Sequence, residues 1–224
     1  MSTAGAASAE LQDSEVWRSL SDGVVAGICH DLTGRLTALS GIVYLGRLEG
    51  RIDGEIAKQI EAELDRLELS IRLLRLLREG GGRLEPIQPL ELVGTVLRLF
   101  QRHRDLGHLE VEVRSDGADL PPVMARWAEL CKAVLVVVVG AAREARAAGA
   151  TRLALEVRGE GGVVVLALEV PAAPGVTAKE AAESVDAVRG EIAKLGGAVE
   201  VGVGDGGGRR FEIRLPAIPC DEEI

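Results

Sequence analysis

Apolar residues recur at steps of three and four through the first third of the chain, which is the spacing of one face of an α-helix. A first helical pattern covers residues 11–48, and a second follows a short glycine-containing link at residues 49–54. Two long helices with a short link predict an antiparallel hairpin. One hairpin cannot cover both apolar stripes, so we expect two copies to pair into a four-helix bundle and the chain to be a homodimer. The stripes are Val25, Ile28, Leu32, Leu36, Leu39 and Val43, then Ile56, Ile60, Leu64, Leu67, Ile71, Leu74 and Leu77.

Three consecutive glycines at positions 80–82 end the second pattern and mark a domain boundary. Beyond them, strand patterns at 84–88, 108–114, 152–158, 162–170, 198–203 and 209–215 are interleaved with helical patterns at 89–104, 124–148 and 178–195. Within the 124–148 helix, Val136 to Val139 also have the β-propensity of a buried strand. Grouped strands with interleaved helices predict a two-layer α+β sandwich and not a doubly wound parallel sheet.

The predicted organisation is therefore α+β. It has a flexible N-terminal tail at residues 1–12, a helical hairpin domain at 13–80 and an α/β sandwich domain at 84–218. A chain of 224 residues with 47% hydrophobic residues has enough apolar material for real cores. The glycine-rich stretch at 202–208 satisfies Gly-x-Gly-x-x-Gly, but a strand pattern and not a helix follows it, so we interpret it as a hairpin turn.

Charge and cysteine content exclude several classes of function. The formal net charge of -9 disfavours a nucleic-acid partner, because such binding depends on clustered Lys and Arg. Three widely separated cysteines with no metal-ligand spacing indicate a reduced protein without a metal site. The N-terminus has no signal-peptide pattern, and no apolar run is long enough to cross a membrane. A cytoplasmic protein with no membrane contact is the expectation.

His30 lies inside the first helical pattern but away from its apolar stripe. It is two residues after Ile28 and two before Leu32, which at 100° per residue places the imidazole towards solvent. The adjacent carboxylate of Asp31 can accept a hydrogen bond from one ring nitrogen and leave the other free as a nucleophile. From position alone, the alternative is an ordinary surface histidine.

The segment that begins at His30 resembles the phosphoacceptor box of histidine kinases. Residues 30–39, His-Asp-Leu-Thr-Gly-Arg-Leu-Thr-Ala-Leu, are similar to the family's His-Glu/Asp-Leu followed by Leu-Thr-Ala-Ile. Arg35 stands where the family usually has proline, and Gly34 where it often has the Thr or Asn that helps orient water for phosphatase activity. The resemblance implies that His30 is the phosphoacceptor and Asp31 the adjacent acid/base.

The sandwich resembles the ATP-binding domain of the same family, the GHKL fold. Residues 85–93 are similar to its entry, residues 141–145 to its Asn-Ala-Arg-Glu-Ala box, and residues 195–201 with 211–216 to its closing hairpin. The family's Asn, which helps hold Mg²⁺, falls on Ala141, whose methyl group cannot ligate a cation. The adenine-binding Asp of the Asp-x-Gly-x-Gly box falls near Pro171, and no such box occurs between residues 152 and 196. The resemblance therefore implies a degenerate ATPase-like domain.

A retained histidine with missing nucleotide contacts resembles the ChpT-type histidine phosphotransferases, which are dimeric kinase-like proteins. The resemblance implies phosphotransfer between response-regulator receiver domains, without ATP hydrolysis. The receiver would bring Mg²⁺, so no cofactor or metal site is expected in this chain. We expect the surface around His30 to bind the receiver through Thr33, Arg35 and Thr37.

Two other functions fit parts of the pattern. An ATP-dependent sensor histidine kinase requires nucleotide binding, which the missing box disfavours. A pseudo-kinase adaptor that docks on receivers without phosphotransfer predicts that His30→Ala leaves function intact.

Overall fold

The computed structural model describes residues 15–48, 83–117, 120–171, 178–204 and 207–218, with seven helical residues between positions 49 and 82. The predicted tail at 1–12, the link at 49–54 and the glycines at 80–82 lie outside the described residues. The seven helical residues are Ile60, Ala62, Glu63, Leu67, Ser70, Ile71 and Leu74.

The first predicted helix is present as α1, Glu15–Leu48. Of the predicted stripe, only Ile28 is among the most buried described residues of α1, because those residues lie in its first half and pack into the main core. They are Trp17, Leu20, Val24 and Ile28, at spacings of three and four. The second half leaves Leu36 57% and Tyr44 63% exposed.

A five-stranded mixed sheet forms one layer of the α/β sandwich, the name used here for residues 84–217. Its order is β2-β4-β5-β7-β6, with β2 parallel to β4 and the other neighbours antiparallel. The strands are β2 (Glu110–Ser115), β4 (Arg152–Glu160), β5 (Val163–Val170), β6 (Ala198–Val203) and β7 (Arg209–Pro216). A separate two-stranded sheet pairs β1 (Leu84–Ile87) with β3 (Val123–Arg126).

Helices cover one face of the large sheet. These are α2 (Pro89–Phe100), α3 (Trp127–Ala147) and α4 (Ala178–Lys194), and α3 contacts α1, α2, α4 and the sheet. Because α3 has neighbours on all sides, nearly all of its residues are buried, including Val136 to Val139. The helical prediction for that stretch is therefore confirmed, and tertiary packing overrides the β-propensity of its valines.

The opposite face of the sheet carries a charged network centred on Arg210. Its guanidinium hydrogen-bonds Glu169 at 2.7 Å, Glu156 at 3.0 Å and Glu212 at 3.0 Å, across strands β4, β5 and β7. Val165 and Ala167 on the central strand β5 are only 1% exposed. The long arginine side chains thus lie beside a small apolar layer, on the face of the sheet that none of the described helices covers.

Two boundaries differ from the sequence predictions. The helix predicted over 124–148 begins at Trp127, since residues 123–126 pair with β1 as β3. The helix predicted over 89–104 ends at Phe100, after which the chain turns towards α1. The stretch at 202–208 connects the antiparallel pair β6 and β7, as expected for a hairpin turn.

Candidate functional site

His30 is exposed on α1, as its spacing from the apolar stripe predicts. The helix holds it opposite to the buried contacts of Ile28, which is fully buried in the core of the α/β sandwich. An imidazole at such a position is accessible to a partner.

Asp31, the next residue, is the centre of a polar cluster. Its Oδ2 accepts from Arg35 Nε at 2.7 Å, pairs with Arg102 Nη1 at 2.5 Å and accepts from Ser70 Oγ at 3.4 Å. Burial alone would raise the pKa of Asp31, but the hydrogen bonds from Arg35 and Arg102 outweigh it and hold the pKa below its ordinary value. The carboxylate is therefore ionised at neutral pH.

Arg35 links α1 to the helical residues that follow it. Its Nη1 donates to Glu63 Oε2 at 2.9 Å while its Nε holds Asp31. Position 31 thus meets position 70, and position 35 meets position 63, so the two segments run in opposite directions. Hydrogen bonds to Asp31 and Glu63 raise the pKa of Arg35, against the smaller opposing effect of burial. The alternative for Arg35 in the sequence, ordinary solvation of a helix surface, does not include these contacts, because the side chain joins two segments.

The α/β sandwich approaches α1 most closely at two glycines. A Cβ on Gly27 would lie 1.6 Å from the carbonyl oxygen of Arg102, and a Cβ on Gly23 would lie 2.8 Å from the ring of His103. The backbone N–H of Arg104 donates to the Gly23 carbonyl at 3.3 Å. Gly27 and Asp31 are one helical turn apart on the same face of α1. The backbone of Arg102 therefore rests on one turn while its side chain reaches the next.

His103 is buried, although its place with His108 in a polar connection of the sequence predicts a solvated surface residue. It is 6% exposed, and its Nε2 has no hydrogen-bond partner among the described residues. Its Nδ1 accepts from the backbone N–H of Asp105 at 3.3 Å. Burial, then the positive charge of Arg143, lower the pKa of His103, with Asp105 opposing them. A neutral His103 at the α1 contact is the consequence, and no sequence signal distinguished it from the exposed His108.

The remaining predicted partner residues lie on the same helix beyond His30. Thr33 Oγ1 donates to the Cys29 carbonyl at 2.9 Å, and Thr37 Oγ1 donates to the Thr33 carbonyl at 3.0 Å. Both threonines are exposed. Their contact with a partner stays a prediction, as do the roles of His30 as phosphoacceptor and Asp31 as acid/base.

The positions that the sequence resemblance assigns to nucleotide contacts, and their neighbour Glu144, have apolar side chains or a side chain held in an ion pair. Ala141 is fully buried on α3. Glu144, in the same segment, is 3% exposed and pairs with Arg209 Nη1 at 2.7 Å. Pro171 is exposed at the end of β5, and the residues that follow it, 172–177, lie outside the described part.

Two absences hold for the described part of the chain. No three His, Cys, Asp or Glu side chains come together there as a metal site. In that same part, α1 and the other helices lack the length of apolar sequence that a membrane crossing needs.

Comparison with known proteins gives matches among solved structures. Full-length ShkA in complex with AMPPNP is 20% identical, with 86% of this chain and 46% of that chain covered and a TM-score of 0.50. Histidine kinase AdeS of Acinetobacter baumannii is 19% identical, with 85% and 98% covered and a TM-score of 0.49. ThkA in complex with the response regulator TrrA is 18% identical, with 94% and 66% covered and a TM-score of 0.48. No family model and no curated protein matches the sequence. The chain has a histidine-kinase-like fold.

Proposed function

We propose that this chain is a histidine phosphotransferase of a two-component phosphorelay, which carries a phosphoryl group on His30 between response-regulator receiver domains. The observation that carries the proposal is an exposed histidine beside an ion-paired carboxylate on α1 of a histidine-kinase-like fold. The hairpin of residues 13–80 is the proposed transfer and dimerisation domain, and residues 84–218 form the proposed degenerate ATPase-like domain.

The proposed reaction needs one accessible ring nitrogen. A neutral His30 attacks the phosphorus of a receiver aspartyl phosphate, in line with the bond that breaks. The N–P bond forms as the O–P bond breaks, the bonding electron pair returns to the receiver carboxylate, and the ring keeps the proton on its other nitrogen. The reverse step moves the phosphoryl group to a second receiver aspartate. Mg²⁺ belongs to the receiver in this scheme.

Two side chains support transfer without ATP. The buried methyl group of Ala141 offers no oxygen to a nucleotide-bound cation. The carboxylate of Glu144 is buried in its ion pair with Arg209, and freeing it would leave a buried unpaired charge. Neither residue is therefore suited to hold Mg²⁺ against a triphosphate.

We further propose that two copies pair through the helical hairpin into a four-helix bundle. Leu36 is 57%, Tyr44 63% and Ile71 46% exposed in a single copy. Exposed large apolar side chains on both hairpin segments are the feature that such pairing would bury. Leu36→Glu is expected to give a monomer in size-exclusion chromatography with light scattering. Ala38→Glu, at an exposed position on the other side of the same helix, is expected to retain the dimer.

The decisive experiment follows radiolabelled phosphate to His30. The wild-type chain is incubated with a panel of phosphorylated receiver domains and, separately, with labelled ATP. His30→Ala is the test variant, and His108→Ala, at an exposed histidine of the α/β sandwich, is the matched control. We expect label from a receiver but not from ATP, lost in His30→Ala and kept in His108→Ala.

The other outcomes identify the alternatives. Label from ATP would make the chain a histidine kinase. No label from either donor, together with retained binding to a receiver, would make it an adaptor. Label that persists in His30→Ala would place the phosphoacceptor at another residue.

A further inference from the structure

The α/β sandwich supplies a charged residue to the surroundings of His30. We propose that Arg102 is a positioning residue for phosphotransfer: it neutralises Asp31, so that the acidic receiver and its phosphoryl group meet no net negative charge beside His30. This inference rests on the proposed function. Through Arg102, the α/β sandwich would take a direct part in phosphotransfer, although it is proposed to lack the nucleotide contacts of the histidine kinases.

The backbone of Arg102 is held in place independently of its ion pair. Its N–H donates to the Leu99 carbonyl at 3.0 Å, and the following N–H donates to the carbonyl of the fully buried Phe100 at 2.9 Å. Its own carbonyl fits against Gly27, where no side chain larger than hydrogen has room. The sandwich therefore fixes the backbone of Arg102 at one position along α1, beside Gly27 and one turn before Asp31.

The charges beside His30 form an alternating row. Glu63 pairs with Arg35, Arg35 with Asp31, and Asp31 with Arg102. The unit charges of these two carboxylates and two guanidiniums add up to about zero. Without Arg102, Asp31 keeps only Arg35, whose guanidinium it shares with Glu63, so its negative charge beside the proposed phosphoacceptor is less fully compensated.

Arg102 and Arg35 are not equivalent in this row. Arg35 divides its guanidinium between Asp31 and Glu63, whereas Arg102 pairs, among the described residues, with Asp31 alone. The side chains of Arg102 and Asp31 are each 23% exposed, so solvent screens their attraction less than it screens a surface pair. Arg102 is therefore the group whose removal changes the net charge at Asp31 most directly.

A less fully compensated carboxylate at position 31 opposes transfer at two stages. The receiver site that docks on His30 is acidic, and like charges slow association and weaken the complex. The transferred phosphoryl group is itself anionic, so phosphohistidine formation next to that charge is less favourable. Loss of Arg102 is thus expected to raise KM for the phosphorylated receiver and to lower the transfer rate.

The test measures transfer from a phosphorylated receiver at several receiver concentrations in the full chain. Arg102→Ala is expected to lower kcat/KM about tenfold, the size of effect for a charge-assisted hydrogen bond discounted for partial exposure. Arg102→Lys keeps the charge and is expected to restore most of the loss. Arg104→Ala, at an exposed arginine two residues away, is the control and should stay within about twofold of wild type.

A double-mutant cycle separates charge compensation from a structural role. In an Asp31→Asn background there is no carboxylate to neutralise, so Arg102→Ala should change kcat/KM by less than about twofold. Circular dichroism, and the fluorescence of the buried Trp17 measured in a Trp127→Phe background, report whether each variant is folded with α1 in place.

Each result has a distinct meaning. The inference is overturned if Arg102→Ala transfers at the wild-type rate, if Arg102→Lys is as slow as Arg102→Ala, or if the tenfold loss persists in the Asp31→Asn background. A wild-type chain that takes no label from any receiver overturns the proposed function and this inference with it.

Discussion

Gly27→Ala tests the closest approach between α1 and the α/β sandwich. The added Cβ would lie 1.6 Å from the carbonyl oxygen of Arg102, although real Cβ contacts shorter than 3.0 Å are essentially absent. The atom in the way belongs to the backbone, so no side-chain rotation relieves the overlap. The helix and the loop must therefore separate by about 1.4 Å, a gap that follows from these two distances.

The free-energy cost has a lower and an upper bound. Overpacking that the structure absorbs by small shifts costs about 1 to 3 kcal/mol. Full detachment of α1 would expose four buried side chains, Trp17, Leu20, Val24 and Ile28, at roughly 1.5 to 3 kcal/mol each. A shift of about 1.4 Å loosens these contacts without removing them, so we expect a loss of about 2 to 4 kcal/mol.

The assay is urea denaturation at one protein concentration, because the stability of the proposed dimer would depend on concentration. Circular dichroism follows helix content. Trp17 fluorescence, measured in a Trp127→Phe background because the chain has a second tryptophan, follows the α1 contact, where Lys132 Nζ lies 5.5 Å from the ring centroid. Gly34→Ala is the matched control: it is in the same helix with nothing within 4 Å of its Cβ. Its expected effect is a gain of about 0.5 to 1 kcal/mol from helix propensity.

The change in the free energy of unfolding must therefore have opposite signs in the two variants. Equal stabilisation of Gly27→Ala and Gly34→Ala would refute the close approach, since both would then behave as open helix positions. A loss in Gly27→Ala with unchanged Trp17 fluorescence would refute the assignment of that loss to the α1 contact.

Two further predictions concern ionisation. Burial would raise the pKa of Glu212, but hydrogen bonds from Arg210 and Arg214 hold that pKa below its usual 4.5. The stability that ionised Glu212 contributes is therefore present above pH 4.5 and is lost as pH falls through the folded-state pKa. Arg210→Met should lower the free energy of unfolding by about 1 to 2 kcal/mol at neutral pH and weaken its acid dependence; an unchanged pH profile would contradict this. Burial raises the pKa of the Cys131 thiol to about 12, so in a Cys220→Ser background a thiol reagent should modify the exposed Cys29 and spare Cys131 until urea is added. Two thiols modified in the native protein would show that Cys131 is accessible.

Local pattern was sufficient for most elements of the α/β sandwich. Alternation along residues 152–158 corresponds to β4, the apolar run at 162–170 corresponds to β5, and helical spacing over 178–195 corresponds to α4. Side-chain periodicity reports which face of an element is buried, and this information is local to each segment. The exposure of His30 followed from the same reasoning, because His30 lies two positions from Ile28 and two from Leu32, on the other side of the helix from the apolar stripe.

The short strand β3 was missed for a local reason. Residues 123–126 continue directly into α3, and the apolar content of the combined segment fits one helix. Their pairing with β1 depends on a segment some forty positions earlier in the chain, which local spacing cannot report.

The sequence by itself determined the order of helices and strands, the accessible histidine, and the residues at the positions that resemble nucleotide contacts. Tertiary structure alone decided what surrounds that histidine. Arg102 reaches Asp31 only because α2 ends at Phe100 and the next turn fits against Gly27, and the same turn buries His103. Charge pairing between residues far apart in the chain depends on how whole elements pack, whereas exposure along one helix depends on its own periodicity.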